Sequence, residues 1–279
     1  MLRKLSVQYR STKRSIIFSS LLYGMFALAL LTGSAQGQEL PSREPGYQQL
    51  LTNLSHQTPL QWGERVSGVK THLDTRQQVV VLTLDACGSP KGKGYDHRLI
   101  DFLIAQRIPA TLFINSRWIE ANPAVFAQLA ANPLFEIANH GTWHKPASVN
   151  GRTVYGITGT RSPAELLDEI EINARLITSL TGTRPRYYRS GTAYYDEVAV
   201  SLATSLKQTV IGYSVLGDAG ATYRSDQVRQ ALLKSRPGDI ILAHMNHPES
   251  GTADGIITAI PELLRRGFRF VHLHQYPLR

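Results

Sequence analysis

The stretch VVVLTLDACGSPKGKGYD, Val79 to Asp96, decides how this chain reads. Val79 to Leu84 form a continuous run rich in β-branched side chains, the pattern of a strand buried on both faces. Asp85 stands where the run stops. Ala86 follows, then Cys87, the single cysteine of the chain. Glycines at 88, 92 and 94 break the pattern. A carboxylate at the end of a buried strand is costly to desolvate unless it is paired or used. The alternative is an aspartate that caps the following loop.

Six more apolar runs follow at ATLFIN (110–115), FEIA (135–138), RYYR (186–189), TVIGYSV (209–215), DIILAH (239–244) and FRFVHL (268–273). Helical patterns separate most of them. DHRLIDFLIAQR (96–107) puts Leu99, Phe102, Leu103 and Ile104 on an apolar face, with Asp96 as a candidate N-cap. SPAELLDEIEINARLITSLTG (162–182) carries a Ser162 cap, Pro163 at the first helical position, Glu165 three residues after the cap, and Gly182 at the end. SDQVRQALLKSRPG (225–238) and GIITAIPELLRRG (255–267) behave alike. Seven strands alternating with helices predict an α/β fold, either a β/α barrel or a doubly wound sheet. In both, chemistry gathers at the C-terminal ends of the strands.

With 279 residues, 42% hydrophobic and 18% charged, the chain can bury the core of one large domain. Residues 1–37 stand apart: Arg3, Lys4, Arg10, Lys13 and Arg14 precede an apolar stretch and then small residues, SAQG. This is the pattern of a secretory signal peptide, with an uncleaved N-terminal membrane anchor as the rival reading. The protein is therefore expected to be exported, to a periplasmic or extracellular location, and to meet a membrane only through that segment. The whole chain carries a net charge of +9; without those five basic residues, 25 Lys and Arg face 21 acids, a net of +4. That mild balance, with no nucleic-acid motif, argues against a nucleic-acid partner. Residues 38–76, rich in Pro, Gly, Gln and Ser near their start, read as a linker or loosely packed arm, and 77–279 as the catalytic domain. One cysteine excludes an internal disulfide, so the core must hold the fold.

The strand-end rule picks out specific residues. The first run ends at Asp85, the third is followed by His140 and His144, the fourth ends at Arg189, the fifth leads to Asp218, and the sixth ends at His244. The two histidines are four apart, a spacing that on a helical turn brings both imidazoles to one cation. Neutral imidazole suits zinc and related divalent ions. Two surface histidines in a loop would share that spacing. Arg189 can orient a carboxylate or form a plain ion pair.

TLDACG, HGTWH, RSGTAYY and ILAH, in this order on a β/α pattern, resemble the polysaccharide deacetylase family, also classed as carbohydrate esterase family four. The resemblance spans roughly Val79 to His274. It implies a distorted (β/α) barrel of about seven parallel strands, one divalent metal (zinc first; cobalt, nickel or manganese as alternatives), and removal of acetyl groups from N-acetylated glycans. Carried over, Asp85 is the catalytic base, His140 and His144 the metal ligands, Arg189 the group that orients the base, and His244 the general acid. A backbone N–H in the RSGTAYY loop, with Tyr194 the candidate, would hold the oxyanion. Asp218 matches the family's fourth motif only loosely and is assigned to the substrate side. Trp143, Tyr188, Tyr194 and Tyr195 offer faces for sugar rings or for ordinary core packing. Such a protein would act on peptidoglycan or poly-N-acetylglucosamine. The rival readings are a catalytically silent carbohydrate-binding protein on the same fold and a deacylase of another N-acylated amino-sugar conjugate.

One departure stands out. The family's motif has two adjacent aspartates, base then metal ligand, and the second position here is Ala86. Asp96 is the candidate replacement ligand, reaching in from the glycine-rich loop, although its position also suits a helix cap. Cys87 is chemically acceptable to zinc but reads first as a small buried hydrophobe. Asp85 itself, or waters beside the two histidines, are the remaining options.

Overall fold

The computed structural model describes residues 40–279, so the expectations for residues 1–37 lie outside the described residues. Strand β1 (Val79–Ala86) is buried at all eight positions and forms the centre of the sheet. β2 (Ala110–Ile114) and β3 (Phe135–Asn139) extend it on one side. A small antiparallel hairpin, β4 (Thr153–Val154) and β5 (Ile157–Thr158), lies apart from it. β6 (Tyr187–Tyr188) and β7 (Thr209–Val210) complete that side. β8 (Val215–Leu216) and β9 (Ile240–His244) lie on the other, and β10 (Arg269–Phe270) pairs with the first residues of β1. Seven strands run in the order β7-β6-β3-β2-β1-β9-β8 with every pairing in it parallel, and β10 on β1 makes the eighth strand of one curled sheet in a single domain.

Eight α-helices are described: α1 (Pro45–Ser55), α2 (His97–Ala105), α3 (Ser116–Ala121), α4 (Pro123–Ala131), α5 (Pro163–Thr181), α6 (Glu197–Ser205), α7 (Ser225–Leu233) and α8 (Thr252–Arg265). α5 begins and ends as its sequence dictates. Ser162 accepts from the Glu165 N–H, and Gly182 closes the helix at φ 72°, a left-handed value that glycine adopts freely. In α2, Leu99 and Leu103 are buried as expected, while Ile104 is exposed.

All seven predicted runs fall on strands. The run TVIGYSV contains two of them, β7 and the start of β8, on opposite edges of the sheet. The chain between them crosses the opening of the barrel. Ile211 donates to the Tyr188 carbonyl, Gly212 to that of Lys70, and Ser214 to that of Ile240. The two edge strands β7 and β8 do not pair with each other, so the barrel is distorted rather than closed.

The odd and even residues of β1 face different layers. Val80, Leu82, Leu84 and Ala86 belong to the apolar layer shared with α2 and α8, including Leu99, Leu103, Ile256 and Ile260. Val79 and Val81 belong to the inner cluster with Phe113, Ala138 and Ile211. Successive side chains of a strand point to opposite faces, so Asp85 and Cys87 share the inner face with Thr83.

The arm before the sheet is not loose. Tyr47, Leu50, Leu51 and Leu54 recur at helical spacing along α1 and pack on the cluster under α5 and α6, with Leu54 buried. Ser42 ties the start of the arm to the Asp168 carboxylate through its N–H (2.8 Å) and hydroxyl (2.7 Å). Among the described residues, no helix is long and apolar enough to cross a membrane.

Candidate active site

Asp85 and His244 are direct register partners on β1 and β9, so both side chains leave adjacent strands at one level. Arg189 anchors the first of them. It is fully buried, and its Nη1 donates to Asp85 Oδ1 (2.7 Å) and Thr83 Oγ1 (2.8 Å). Its Nε donates to the Ile211 carbonyl (3.1 Å) and its Nη2 to that of Gly212 (2.8 Å). The guanidinium also lies 4.1 Å from the centre of the Phe113 ring. A planar fork with every edge engaged fixes the carboxylate rigidly.

The Arg189 carbonyl accepts from His140 Nδ1 (2.9 Å). A carbonyl only accepts, so Nδ1 carries a proton and Nε2 is the nitrogen turned to the site, offering a lone pair to a metal when the imidazole is neutral. That Nε2 lies 3.7 Å from Asp85 Oδ2 and 3.7 Å from Cys87 Sγ. The His144 ring stands edge-on to that of His140, with centroids 4.9 Å apart. Its Nε2 is buried with no hydrogen-bond partner, an arrangement native structures rarely leave unexplained. Donor atoms of Cys87, His140 and His144 all lie within 4.8 Å of one another. One thiol and two imidazoles, one of them with its buried nitrogen orphaned, fit a divalent ion of the zinc type. Burial opposes ionisation of the Cys87 thiol, but His144, His140 and His244 facing it hold its pKa well below the ordinary value.

The histidine pair does not sit on a helical turn. Gly141 has φ 73° and His144 φ 61°, and the loop is held from outside. Asn115 donates to the carbonyls of His140 (3.0 Å) and Gly141 (2.8 Å), and Asn139 Oδ1 accepts from the Gly141 N–H (2.9 Å). The buried Glu169 carboxylate on α5 accepts from the N–H groups of Trp143 (2.8 Å) and Lys145 (3.1 Å). Burial raises the Glu169 pKa to about 7 although those two donors pull it down. A side chain at residue 141 would collide with Glu169, and one at Gly191 would collide with the His144 backbone. Glu169, Asn115 and Asn139 were not found from the sequence, because their role appears only once β2, β3 and α5 are packed together.

His244 Nδ1 meets Asp218 Oδ1 at 2.9 Å. Asp218 Oδ2 accepts from the His244 N–H (2.8 Å) and from Thr252 Oγ1 (2.9 Å). Burial works against the imidazolium, yet the Asp218 carboxylate holds His244 well above its ordinary pKa. Asp218 is thus engaged with His244 and Thr252 rather than with the substrate side, and the other edge of the His244 ring faces the Cys87 thiol and the site.

Asp96 lies elsewhere. It is the N-cap of α2, accepting from the Leu99 N–H at 3.1 Å, and Cys87 takes the place beside the histidines for which Asp96 was the candidate. Reading Cys87 as a packed hydrophobe overlooked a period-two signal: Thr83, Asp85 and Cys87 lie on one face. Residue 86 faces the helices, so Ala86→Asp would place an unpaired carboxylate in an apolar layer. We expect a stability loss of about 3 kcal/mol and no gain in metal affinity. Thermal unfolding and metal titration check this, and a stable variant with tighter metal binding would refute it.

Of the four candidate sugar-facing aromatics, Tyr188 and Tyr195 are core residues and Trp143 is exposed. The Tyr194 ring lies against Trp62, and its carbonyl accepts from Ala147 (3.0 Å) and Ser190 (2.9 Å).

A model of the polysaccharide deacetylase family matches residues 72–211. A chitooligosaccharide deacetylase of Bradyrhizobium sp. (strain ANU 289) is 26% identical over 191 residues, which cover 63% of this chain and 82% of the relative. Two solved structures share the fold. A family 4 carbohydrate esterase pseudoenzyme of Bacillus anthracis has a TM-score of 0.60 at 23% identity, covering 76% of this chain and 69% of its own. A family 4 acetyl xylan esterase of Clostridium thermocellum, solved with a cobalt ion, has a TM-score of 0.56 at 24% identity, covering 71% and 89%. By these matches the chain belongs to the polysaccharide deacetylase family, hydrolases that act on the carbon–nitrogen bonds of amides.

Proposed function

We propose that the protein is an exported, zinc-dependent deacetylase that removes N-acetyl groups from the amino sugars of an envelope or extracellular glycan. The observation that carries this is the register pairing of Asp85 with His244, each backed by a buried partner of opposite charge, beside the Cys87–His140–His144 cluster. A divalent ion held by those three residues supplies Lewis acidity toward the amide carbonyl and toward water.

Asp85, held by Arg189, takes the proton of the attacking water. The Tyr194 N–H donates to the carbonyl oxygen as it gains negative charge. His244, charged through its contact with Asp218, gives a proton to the departing nitrogen as the carbon–nitrogen bond breaks. The products are acetate and a free amino sugar. Two imidazoles with a thiolate favour zinc; cobalt and nickel are the nearer substitutes, and manganese is disfavoured by sulfur. The basic, apolar and small-residue order within 1–37 supports export.

The test is release of acetate from N-acetylglucosamine oligomers and from peptidoglycan by zinc-loaded protein, together with metal analysis of His140→Ala. Acetate release, and loss of stoichiometric zinc in the variant, are the expected results. Protein that binds such glycans, holds zinc and releases no acetate from any of them would favour the silent binding protein.

A further inference from the structure

Three segments are zipped together at one side of the site. Gly63 of the arm exchanges two backbone hydrogen bonds with Tyr195 (3.1 and 3.0 Å). Ala147, beyond the histidine loop, donates to the Tyr194 carbonyl and accepts from Asp196, both at 3.0 Å. This brings side chains from distant parts of the chain to one outer wall. The Trp62 ring lies 5.8 Å from that of Tyr194, and the Tyr155 ring, at the tip of the β4–β5 hairpin, lies 5.6 Å from it on another side. The Arg152 guanidinium stands 5.9 Å from the centre of the Trp62 ring. Trp62, Glu64, Arg65 and Tyr194 line an open cavity of about 510 Å³.

These rings are not consumed by the core. Tyr155 is 71% exposed, Trp62 and Tyr194 are half-buried, and none belongs to the buried clusters. A contiguous aromatic surface left open to water, with charged groups at its rim, marks a binding face. It is continuous with the active site, since Tyr194 belongs to the loop that begins at Arg189 and packs Gly191 against His144. A pyranose ring matches it chemically, presenting an apolar C–H face to the aromatics and hydroxyls to Arg152 and Glu64.

We propose that Trp62, Tyr155 and Tyr194 form a subsite for a neighbouring sugar of the same N-acetylated glycan chain, so that the protein selects oligomers and polymers over single sugars. The identity of the chain as a glycan rests on the deacetylase reading above. Trp62 lies before the matched family segment, so the subsite is built partly by the arm.

The experiment is calorimetric binding of the N-acetylglucosamine pentamer and of the monomer to zinc-loaded Asp85→Asn protein, alone and with Trp62→Ala or Tyr155→Ala. Pentamer affinity should fall about tenfold in Trp62→Ala, and by more than monomer affinity does. Tyr155→Ala, whose side chain is largely solvated, should show a smaller loss of the same kind without a change in melting temperature. Equal losses for monomer and pentamer, unchanged pentamer affinity in both variants, or no pentamer binding by the Asp85→Asn protein alone would overturn the proposal. In otherwise unsubstituted enzyme the two readings separate. Ring-dependent pentamer binding without acetate release sinks the deacetylase and keeps the subsite. Acetate release with an unchanged KM for the pentamer in both variants does the reverse.

Discussion

Cys87→Ala is expected to weaken zinc binding by well over the roughly 100-fold that loss of a mere supporting contact costs a metal site. The reason is geometric. Among the described residues, one group of side chains brings metal-binding atoms together, and the thiolate is its third member beside His140 and His144. Without it, two neutral imidazoles remain, a poorer set for a divalent ion than two imidazoles and an anion. The fold should survive, because the change removes only a small side chain at the end of β1. Competition against a chromophoric chelator reads the affinity, and cobalt substitution reads the ligand directly. Cobalt-loaded protein should show a thiolate-to-metal charge-transfer band that Cys87→Ala lacks. Asp96→Asn is the control: asparagine caps a helix as well as aspartate does, so both stability and zinc affinity should stay close to those of the unsubstituted protein. If Asp96→Asn lowers zinc affinity and Cys87→Ala does not, the assignment of the third ligand is reversed.

The sequence offers Asp96 as the third ligand, whereas the structure groups Cys87 with the two histidines, and the cause lies in β1. The apolar run reads to Leu84, yet the strand continues through Ala86 because β2 and β9 keep pairing with it. Two more extended residues turn position 86 outward and position 87 inward. Asp85, His140, Arg189 and His244 were legible because each ends or follows an apolar run, and parallel strands collect such residues at one end of the sheet. The helices α2 and α5 were legible because their caps are local. Contacts made by register were not legible. The pairing of Asp218 with His244 needs β8 beside β9, and the division of TVIGYSV into two edge strands needs Lys70 and Ile240 as partners. The arm was misread because its prolines, glycines and glutamines drew more weight than the Tyr47–Leu50–Leu51–Leu54 stripe.

Asp85→Asn should cut kcat by about 10³ to 10⁴-fold, at the upper end of what a positioned proton acceptor contributes. It should leave zinc bound, since none of the three clustered donor atoms belongs to Asp85. Stability should fall as well. Arg189 is fully buried, and Asp85 is the only anion among the partners of its guanidinium; Thr83, Ile211 and Gly212 offer neutral oxygens. Removing the counter-charge of a buried cation typically costs about 3 to 5 kcal/mol. The asparagine oxygen can still accept from Nη1, so the lower end of that range applies. On the proposed mechanism a base and a structural anion are one side chain, and two measurements separate the roles. Asp85→Asn assayed well below its melting temperature, with zinc content checked, reports the proton-transfer role; its melting temperature reports the ion pair. Arg189→Lys is the complement, because one ammonium cannot reach four acceptors in the plane that the guanidinium spans. It should also lose stability, but its activity loss should come from a misplaced base rather than an absent one. Residual acetate release in Arg189→Lys above that of Asp85→Asn is the expected order. Acetate release by zinc-loaded Asp85→Asn within tenfold of the unsubstituted enzyme would remove Asp85 from the base role and leave it as a structural partner of Arg189.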